Sequence, residues 1–284
     1  MKLPLTLNTK LVVMESIRSK IPKDVLDEIY RADQTHVLSF FEEDDYTEED
    51  IASLVRQCRS FDLIRSRNLY SKSISQSGKL NSLYEKISEY PENYIYSEDV
   101  DPEDREKYKT AGCKLIADGK VALVLLSGGQ STHFNPTVPK GDCDFGFPSH
   151  KTLFERIFLS VRKIQNIVEQ RFHIQVNIPI YIMTSEFNND SISALLKKHN
   201  YYNLSESQFV LFSQGSLPCV DQEGLFIMQK KNQIALSPDG SGGFYFAMHR
   251  HHLPSQWKEK GIEYIHVFGV DNAMELVDGW IESF

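Results

Sequence analysis

The chain has 284 residues, of which 41% are hydrophobic and 25% charged, and its formal net charge is −8. Such a composition is typical of a globular protein with one large domain or two smaller ones. Proteins that hold nucleic acid through its phosphates usually present a basic face, so we expect no nucleic-acid partner. We also expect no membrane span, because no apolar stretch approaches the length that a membrane requires. Four single cysteines, without any C-x-x-C pair, predict reduced thiols and a cytoplasmic location.

The first hundred or so residues are predicted to form helices separated by polar breaks. Thr47 is suited to cap a helix in "TEEDIASLVRQC", where apolar residues follow at helical spacing. The serine-rich segment 71–79 is predicted to be a flexible connection. Asp101 as a cap and Pro102 as the first helical residue predict another helix that runs toward Gly119.

The sequence changes character at Val121, where strand-like and helix-like segments begin to alternate. "VALVLL" is a continuous apolar run, which is typical of a strand buried on both faces. Further strands are predicted in "IPIYIMT", "FVLF" and "YIHVFGVD", and helices in "KTLFERIFLSVRKIQNIVEQ", "NDSISALLKKH" and "GGFYFAMHRHH". This alternation predicts an α/β fold with a mostly parallel sheet and helices on both faces. We therefore predict a helical N-terminal region at 1–110 and a nucleotide-binding α/β domain at 111–284.

Three polar segments, "SGGQSTHF", "SQGSLPC" and "VDN", fall at or beside predicted strand ends. Ligands of parallel sheets bind at the carboxyl ends of the strands, so these segments are predicted to form one site. Gly128 and Gly129 lack side chains, which lets backbone N–H groups approach an anion or a base closely. The motifs G-x-x-x-x-G-K-[ST] and G-x-G-x-x-G are absent from the sequence, which counts against a P-loop and against a dinucleotide-binding domain.

Six blocks of the sequence carry a resemblance to a known family. They are "KVALVLLSGGQSTHFNPTVPKG", "FGFPSHKTLFERI", "IPIYIMTSE", "FSQGSLPC", "LSPDGSGGFYFAM" and "GIEYIHVFGVDN". Their order and spacing resemble those of the eukaryotic UDP-N-acetylhexosamine pyrophosphorylases, in the type 1 group of UDP-sugar pyrophosphorylases. The resemblance implies a Rossmann-like (GT-A-like) nucleotide-diphospho-sugar transferase sheet behind an N-terminal helical region. It also implies a uridylyltransferase that makes UDP-GlcNAc from UTP and GlcNAc-1-phosphate and releases pyrophosphate.

The resemblance implies roles for individual residues in nucleotide binding. By this likeness Gly128 and Gly129 hold uracil and ribose through backbone contacts, and Gln214 and Gly240 contact the uracil ring. The sequence alone leaves a plainer interpretation open for Gln214, as a solvated turn residue.

A second group of implied roles concerns the phosphates and the metal. By the same likeness Lys140 reaches the UTP phosphates, and Asp271 approaches the diphosphate and its Mg²⁺ or Mn²⁺ ion. The attacking sugar phosphate is already an anion, so positioning and charge neutralisation carry the catalysis without a general base. Lys140 as a surface lysine and Asp271 as a helix cap are the plainer alternatives.

The chain departs from the family pattern at several positions. Ser131 replaces a glycine of the nucleotide loop, and His133 replaces an arginine whose permanent charge would otherwise assist catalysis. Ser241 stands where the family has an asparagine that contacts the sugar. The chain is also expected to be short at its C-terminal end relative to family members.

These departures leave three hypotheses. The first is the uridylyltransferase, either fully active or weakened in its turnover, with His133 in the catalytic set beside Lys140. The second is a catalytically inactive homologue that binds uridine nucleotide or a partner. The third is a pyrophosphorylase for another sugar 1-phosphate, such as glucose. A homodimer or a partner subunit is compatible with each of them.

Overall fold

The computed structural model describes residues 20–43, 46–77, 100–129, 138–146 and 148–272. The α-helices are α1 Lys23–Arg31, α2 Glu48–Cys58, α3 Leu63–Ser77, α4 Pro102–Ala117, α5 Leu153–Phe172, α6 Asn189–Lys198, α7 Gly243–Arg250 and α8 Leu253–Glu259. The strands are β1 Val121–Leu126, β2 Ile180–Thr184, β3 Phe209–Ser213, β4 Ser216–Pro218, β5 Met228–Lys230, β6 Gln233–Ile234, β7 Leu236–Pro238 and β8 Tyr264–Gly269. Short 3-10 helices lie at Thr35–Glu43, Lys140–Asp142, Asn200–Asn203 and Glu206–Gln208.

The described residues form two compact units. The first unit joins the described residues up to position 90 to Ser216–Ser237. The second joins the described residues from position 91 to Gly215 with those from Pro238 onward. These units are defined by packing alone. The division into a helical N-terminal region at 1–110 and a nucleotide-binding domain at 111–284 therefore stays a prediction. Within the described ranges, no helix combines the length and the apolar character that crossing a membrane requires.

The first unit is built around helices α1, α2 and α3. Their buried apolar side chains form one cluster with Phe226 and Ile234 from the inserted segment. Two glutamines fasten this insertion by bonds to its backbone. Gln34 accepts from the Phe226 N–H at 2.8 Å, and Gln57 accepts from the Ile234 N–H at 2.7 Å. The insertion between β3 and α7 is therefore part of the core of this unit.

The prediction of a flexible connection at 71–79 is wrong as far as Ser77, because α3 continues through those serines. Serine hydroxyls can bond to helix carbonyls, as Ser71 does to the Arg67 carbonyl at 3.1 Å and Ser75 does to the Lys72 carbonyl at 2.8 Å. The side chain of Arg67 also donates to the carbonyl of Glu223 at 2.8 Å. These contacts hold a helix that composition alone did not indicate. Residues 78 and 79 lie outside the described residues.

The second unit contains a four-stranded sheet in the order β3-β2-β1-β8, and every pairing in it is parallel. Alternate residues of β1 enter different cores: Leu123 and Leu125 pack with α5, whereas Ala122 and Val124 pack with α7 and α8. The sheet is therefore buried on both faces, which explains the continuous apolar run "VALVLL". The α/β prediction and the predicted parallel sheet are confirmed.

Local signals in the sequence place the helix starts of this architecture. Thr47 accepts from the Asp50 N–H at 3.2 Å, and Thr152 accepts from the Glu155 N–H at 3.3 Å, each in a reciprocal capping box. The Asp101 side chain caps α4 by accepting from the N–H of Glu103, and Pro102 occupies the first helical position. The two helices whose caps were predicted, α2 and α4, therefore begin where Thr47 and Asp101 indicated.

Candidate functional site

The carboxyl ends of the parallel strands meet at one edge of the sheet, and the backbone pairing extends beyond the strands there. Ser127 donates its N–H to the carbonyl of Met183 at 2.9 Å, and Gln214 donates its N–H to the carbonyl of Thr184 at 2.8 Å. Asp271 follows β8 at the same edge. The geometry thus brings Ser127, Gln214 and Asp271, which belong to the three predicted strand-end segments, to the same edge of the sheet.

Gln214 lies under the first glycine of the Gly-Gly pair. Its side chain is only 4% exposed, so it is not a solvated turn residue. A Cβ atom added at Gly128 would lie 2.7 Å from Gln214 Cδ and 2.9 Å from the Thr184 carbonyl oxygen. Neither the oxygen nor the nitrogen of the Gln214 amide has a hydrogen-bond partner within the described part of the chain. A buried amide with both atoms unpaired costs free energy, and such groups mark places where a ligand can complete the bonding.

Lys140 is placed by a tight turn against the core. It begins the 3-10 helix Lys140–Asp142, directly after Pro139. Gly141 is buried on the ring of Phe154, and a Cβ atom there would lie 2.3 Å from two ring carbons. Phe154 itself is fully buried at the start of α5. The missing side chain at Gly141 therefore lets the turn pack on the core and fixes the position from which Lys140 extends.

The side chain of Lys140 points to the second glycine and to the end of β8. Its Nζ lies 2.8 Å from Oδ2 of Asp271, and a Cβ atom at Gly129 would lie 3.3 Å from that Nζ. The Lys140 side chain is 17% exposed and that of Asp271 is 44% exposed. Lys140 is thus more than a surface lysine, since it places a cation beside the Gly-Gly turn. The cap alternative for Asp271 concerns residues after 272, which lie outside the described residues.

Gly240 and Ser241 are both exposed and follow β7. Gly240 has a φ of +81°, in the left-handed region that favours glycine. The Gly240 and Ser241 carbonyls accept from the N–H groups of Gly243 and Phe244, at 3.0 and 3.2 Å, where α7 begins. Gly240 and Ser241, the two predicted ligand-contacting residues, therefore lie in a turn that is held by hydrogen bonds from the first residues of α7.

Asp239 is a residue of this site that the sequence reasoning missed, although it belongs to the quoted block "LSPDGSGG". Its N–H donates to the carbonyl of Gly215 at 3.1 Å. Burial raises the pKa of the Asp239 carboxyl above its usual range, while backbone N–H groups of Asp239 and Gly215 and the charge of Arg250 act in the opposite direction. The signal that could have found it is its position directly before Gly240, a predicted ligand-contacting residue.

The raised pKa of Asp239 predicts a pH dependence of stability. An aspartate whose pKa is raised by folding stabilises the folded state below its unfolded pKa of 3.8, and this contribution is lost as the pH rises through the folded value. Wild type should therefore gain unfolding free energy relative to Asp239→Asn as the pH falls from 7 to 4. Urea titrations of both proteins across that range measure the difference. A constant difference would contradict the prediction.

Two predicted residues of the nucleotide loop, Ser131 and His133, lie outside the described residues. The roles assigned to them stay predictions. So do the roles of the described site residues, whose positions are now known.

Among the described residues, no three His, Cys, Asp or Glu side chains form a cluster that could hold a metal ion. Mg²⁺ commonly binds through one or two carboxylates and completes its shell with substrate phosphates and water. Asp271 fits such a role, because its carboxylate is about half exposed at the strand-end edge and already meets a cation there.

Comparison with known proteins identifies the family. A family model described as UTP–glucose-1-phosphate uridylyltransferase matches residues 65–284. The chain belongs to this family. The predicted resemblance to the UDP-sugar pyrophosphorylases is thereby confirmed.

Individual relatives within the family agree with this membership. The chain is 34% identical over 257 residues to UDP-N-acetylhexosamine pyrophosphorylase-like protein 1 of Mus musculus, covering 89% of this chain and 50% of that protein. It is 36% identical over 250 residues to UDP-N-acetylglucosamine diphosphorylase 1 of Arabidopsis thaliana, covering 82% and 49%. The chain therefore spans about half the length of these relatives.

A solved structure shares the fold of the family. The uridine diphosphate N-acetylglucosamine pyrophosphorylase of Trypanosoma brucei, solved in complex with an inhibitor, superposes with a TM-score of 0.70 at 21% identity. The superposition covers 99% of this chain and 55% of that one. At this identity the likeness supports the architecture described above.

Proposed function

We propose that the chain is a UTP:N-acetyl-α-D-glucosamine-1-phosphate uridylyltransferase, which forms UDP-GlcNAc and releases pyrophosphate. The observation that carries the proposal is the meeting of Lys140 with Gly129 and Asp271 at the strand ends of a family member. Beside this cation, the buried and unpaired amide of Gln214 under Gly128 supplies a donor and an acceptor for the edge of a base. A cation for phosphates and an amide for a base suit a nucleotide.

The reaction is an in-line displacement at the α-phosphorus of UTP. A phosphate oxygen of the sugar 1-phosphate forms the new P–O bond, and the bond from the α-phosphorus to the bridging oxygen breaks. Pyrophosphate leaves with that electron pair. Lys140 holds positive charge beside the Gly-Gly turn, so it can neutralise charge that develops on the leaving phosphates. The backbone of Gly128 and Gly129 fixes the nucleoside against the end of β1.

We include Mg²⁺ or Mn²⁺ as the metal in this proposal. Asp271 would contribute a carboxylate ligand, and the substrate phosphates would supply others. A bound divalent ion supplies Lewis-acid polarisation of the phosphate oxygens. Lys140, paired with Asp271 at 2.8 Å, then places a second cationic group at the same phosphates.

The choice of sugar rests on the relatives. Those at 34% and 36% identity are named for N-acetylhexosamine and N-acetylglucosamine, whereas the family model is named for glucose. We favour the N-acetylated sugar, because the two relatives are individual proteins aligned over most of this chain. We also propose a cytoplasmic location, which the four free cysteines support. We further propose that the chain associates, either with a second copy of itself as a homodimer or with a different partner subunit.

The decisive experiment measures pyrophosphate release from UTP and GlcNAc-1-phosphate with Mg²⁺, for wild type and for His133→Arg. Release by wild type is expected, with a higher rate in the variant, because arginine restores a fixed charge to the loop. A parallel reaction with glucose-1-phosphate tests the sugar, and a reaction without sugar phosphate is the control.

Each other outcome selects a rival. Release in His133→Arg alone would locate the impairment in the loop. No release from either protein, with UTP still bound, would favour the inactive nucleotide-binding homologue and overturn the enzyme proposal for this chain. Faster release with glucose-1-phosphate than with GlcNAc-1-phosphate would favour the third hypothesis.

A further inference from the structure

Asp239 lies in a slot between two glycines. A Cβ atom at Gly215 would be 2.7 Å from Oδ2 of Asp239, and one at Gly243 would be 1.8 Å from Oδ1. No side chain except glycine's hydrogen therefore fits at either position while the carboxyl group stays where it is. Oδ1 is buried and has no hydrogen-bond partner within the described residues. The slot thus holds this carboxyl group by shape on the helix side and by backbone contact on the side of Gly215.

The C-terminal end of helix α7 contacts the segment that contains Gln214. The Arg250 guanidinium donates to the Ser213 carbonyl at 2.7 Å, and His251 Nε2 lies 3.0 Å from the same oxygen and donates to it. Ser213 and Gly215 flank Gln214. The end of helix α7 therefore contacts Ser213, and Asp239, which lies just before the helix, contacts Gly215.

These contacts explain why Gln214 can keep a buried amide without partners. Its backbone N–H is bonded to the Thr184 carbonyl. Its neighbour Ser213 is held by Arg250 and His251, and its neighbour Gly215 by Asp239. The Asp239 contact also joins Gly215 to Gly240, which follows Asp239 in the chain. A displacement of Asp239 would thus move both segments at once.

We propose that Asp239 is a positioning residue, which holds Gln214 and Gly240 in the arrangement that recognises a uracil base. The inference rests on the proposed function, since it assumes that a uridine nucleotide is the ligand. Asp239 acts through the two segments and leaves the phosphates to Lys140. Its loss should therefore weaken recognition of the base and spare recognition of the triphosphate.

The test uses the 284-residue chain and three probes: UTP, CTP and inorganic tripolyphosphate, which lacks a base. Asp239→Ala is expected to weaken UTP binding about tenfold, the effect of losing a hydrogen-bonded brace. It should lower the ratio of UTP to CTP affinity and leave tripolyphosphate affinity unchanged. Asp239→Asn keeps the shape and an acceptor toward Gly215, so it should stay within about threefold of wild type. Isothermal calorimetry supplies the affinities.

A second readout needs no ligand. Hydrogen exchange of the Gln214 backbone amide in the free protein should become at least about tenfold faster in Asp239→Ala, because local opening becomes easier. Gly215→Ala is an independent way to displace the carboxyl group and should give the same base-selective loss. Asp221→Ala is the matched control, because the Asp221 carboxylate also accepts backbone N–H groups, from Glu223 at 3.0 Å and Leu225 at 2.8 Å, within the first unit.

The outcomes separate the two proposals. Wild type that binds no UTP would contradict the proposed function, while hydrogen exchange would still test the brace. Unchanged base selectivity and unchanged Gln214 exchange in both Asp239→Ala and Gly215→Ala would overturn the positioning role. An equal loss for all three probes would also overturn it, because that result indicates a general structural defect.

Discussion

Replacing Lys140 with alanine should lower kcat/KM for pyrophosphate release by about 10²–10³-fold, the typical effect of losing one preorganised charge donor. The reason is geometric. Lys140 is mostly buried, its ammonium lies beside the Gly-Gly turn, and the Gly141 turn on the Phe154 ring fixes its origin. No reorganisation is then needed to bring the charge to the phosphates. Steady-state kinetics with UTP and GlcNAc-1-phosphate measure the loss.

Stability distinguishes this catalytic effect from a folding defect. The Lys140–Asp271 pair is partly exposed, and such pairs contribute about 0–1 kcal/mol to the free energy of unfolding. The urea midpoint of Lys140→Ala should therefore stay close to wild type. Lys120→Ala is the matched control, because Lys120 pairs with Glu263 at 2.9 Å just before β1, at the opposite strand end. Equal kinetic losses in both variants would contradict a role for Lys140 at the phosphates.

Much of the second unit could be predicted because its signals are local. The buried strands appear as unbroken apolar runs, and Asp101 indicates the start of α4, as Thr47 indicates the start of α2 in the first unit. Parallel topology then brings the strand ends together without any knowledge of side-chain contacts. The predicted meeting of the Gly-Gly turn, the Gln214 segment and Asp271 follows from that topology.

The failures have a different physical origin, since each depends on contacts between distant parts of the chain. Helix α3 continues through a serine-rich segment while Arg67 and Tyr70 bond to carbonyls of the insertion, including that of Gln222. Composition cannot show such partners. In the same way, the slot for Asp239 depends on Gly215, which lies far earlier in the chain and cannot be related to Asp239 by a spacing rule.

Gly128 also depends on contacts that the sequence does not show, although the sequence indicates this glycine for another reason. The sequence indicated a glycine that lets backbone N–H groups approach a ligand. The structure adds a second requirement, because a Cβ atom there would lie 2.7 Å from Gln214 Cδ and 2.9 Å from the Thr184 carbonyl oxygen. The amide of Gln214 could move, but the carbonyl belongs to β2 and accepts from the Gln214 N–H. The glycine is therefore required by packing even without a ligand.

Gly128→Ala should consequently lower the free energy of unfolding by about 1–3 kcal/mol, the usual cost of overpacking a rigid site. It should also weaken UTP binding by at least about tenfold, because the displaced Gln214 amide can no longer meet the base. Urea denaturation and calorimetry measure the two effects. Gly242→Ala is the control, since a Cβ atom at Gly242 meets nothing within 4 Å and its φ is −65°. UTP affinity equal to wild type in Gly128→Ala, with stability reduced, would show that Gln214 serves packing and does not read the base.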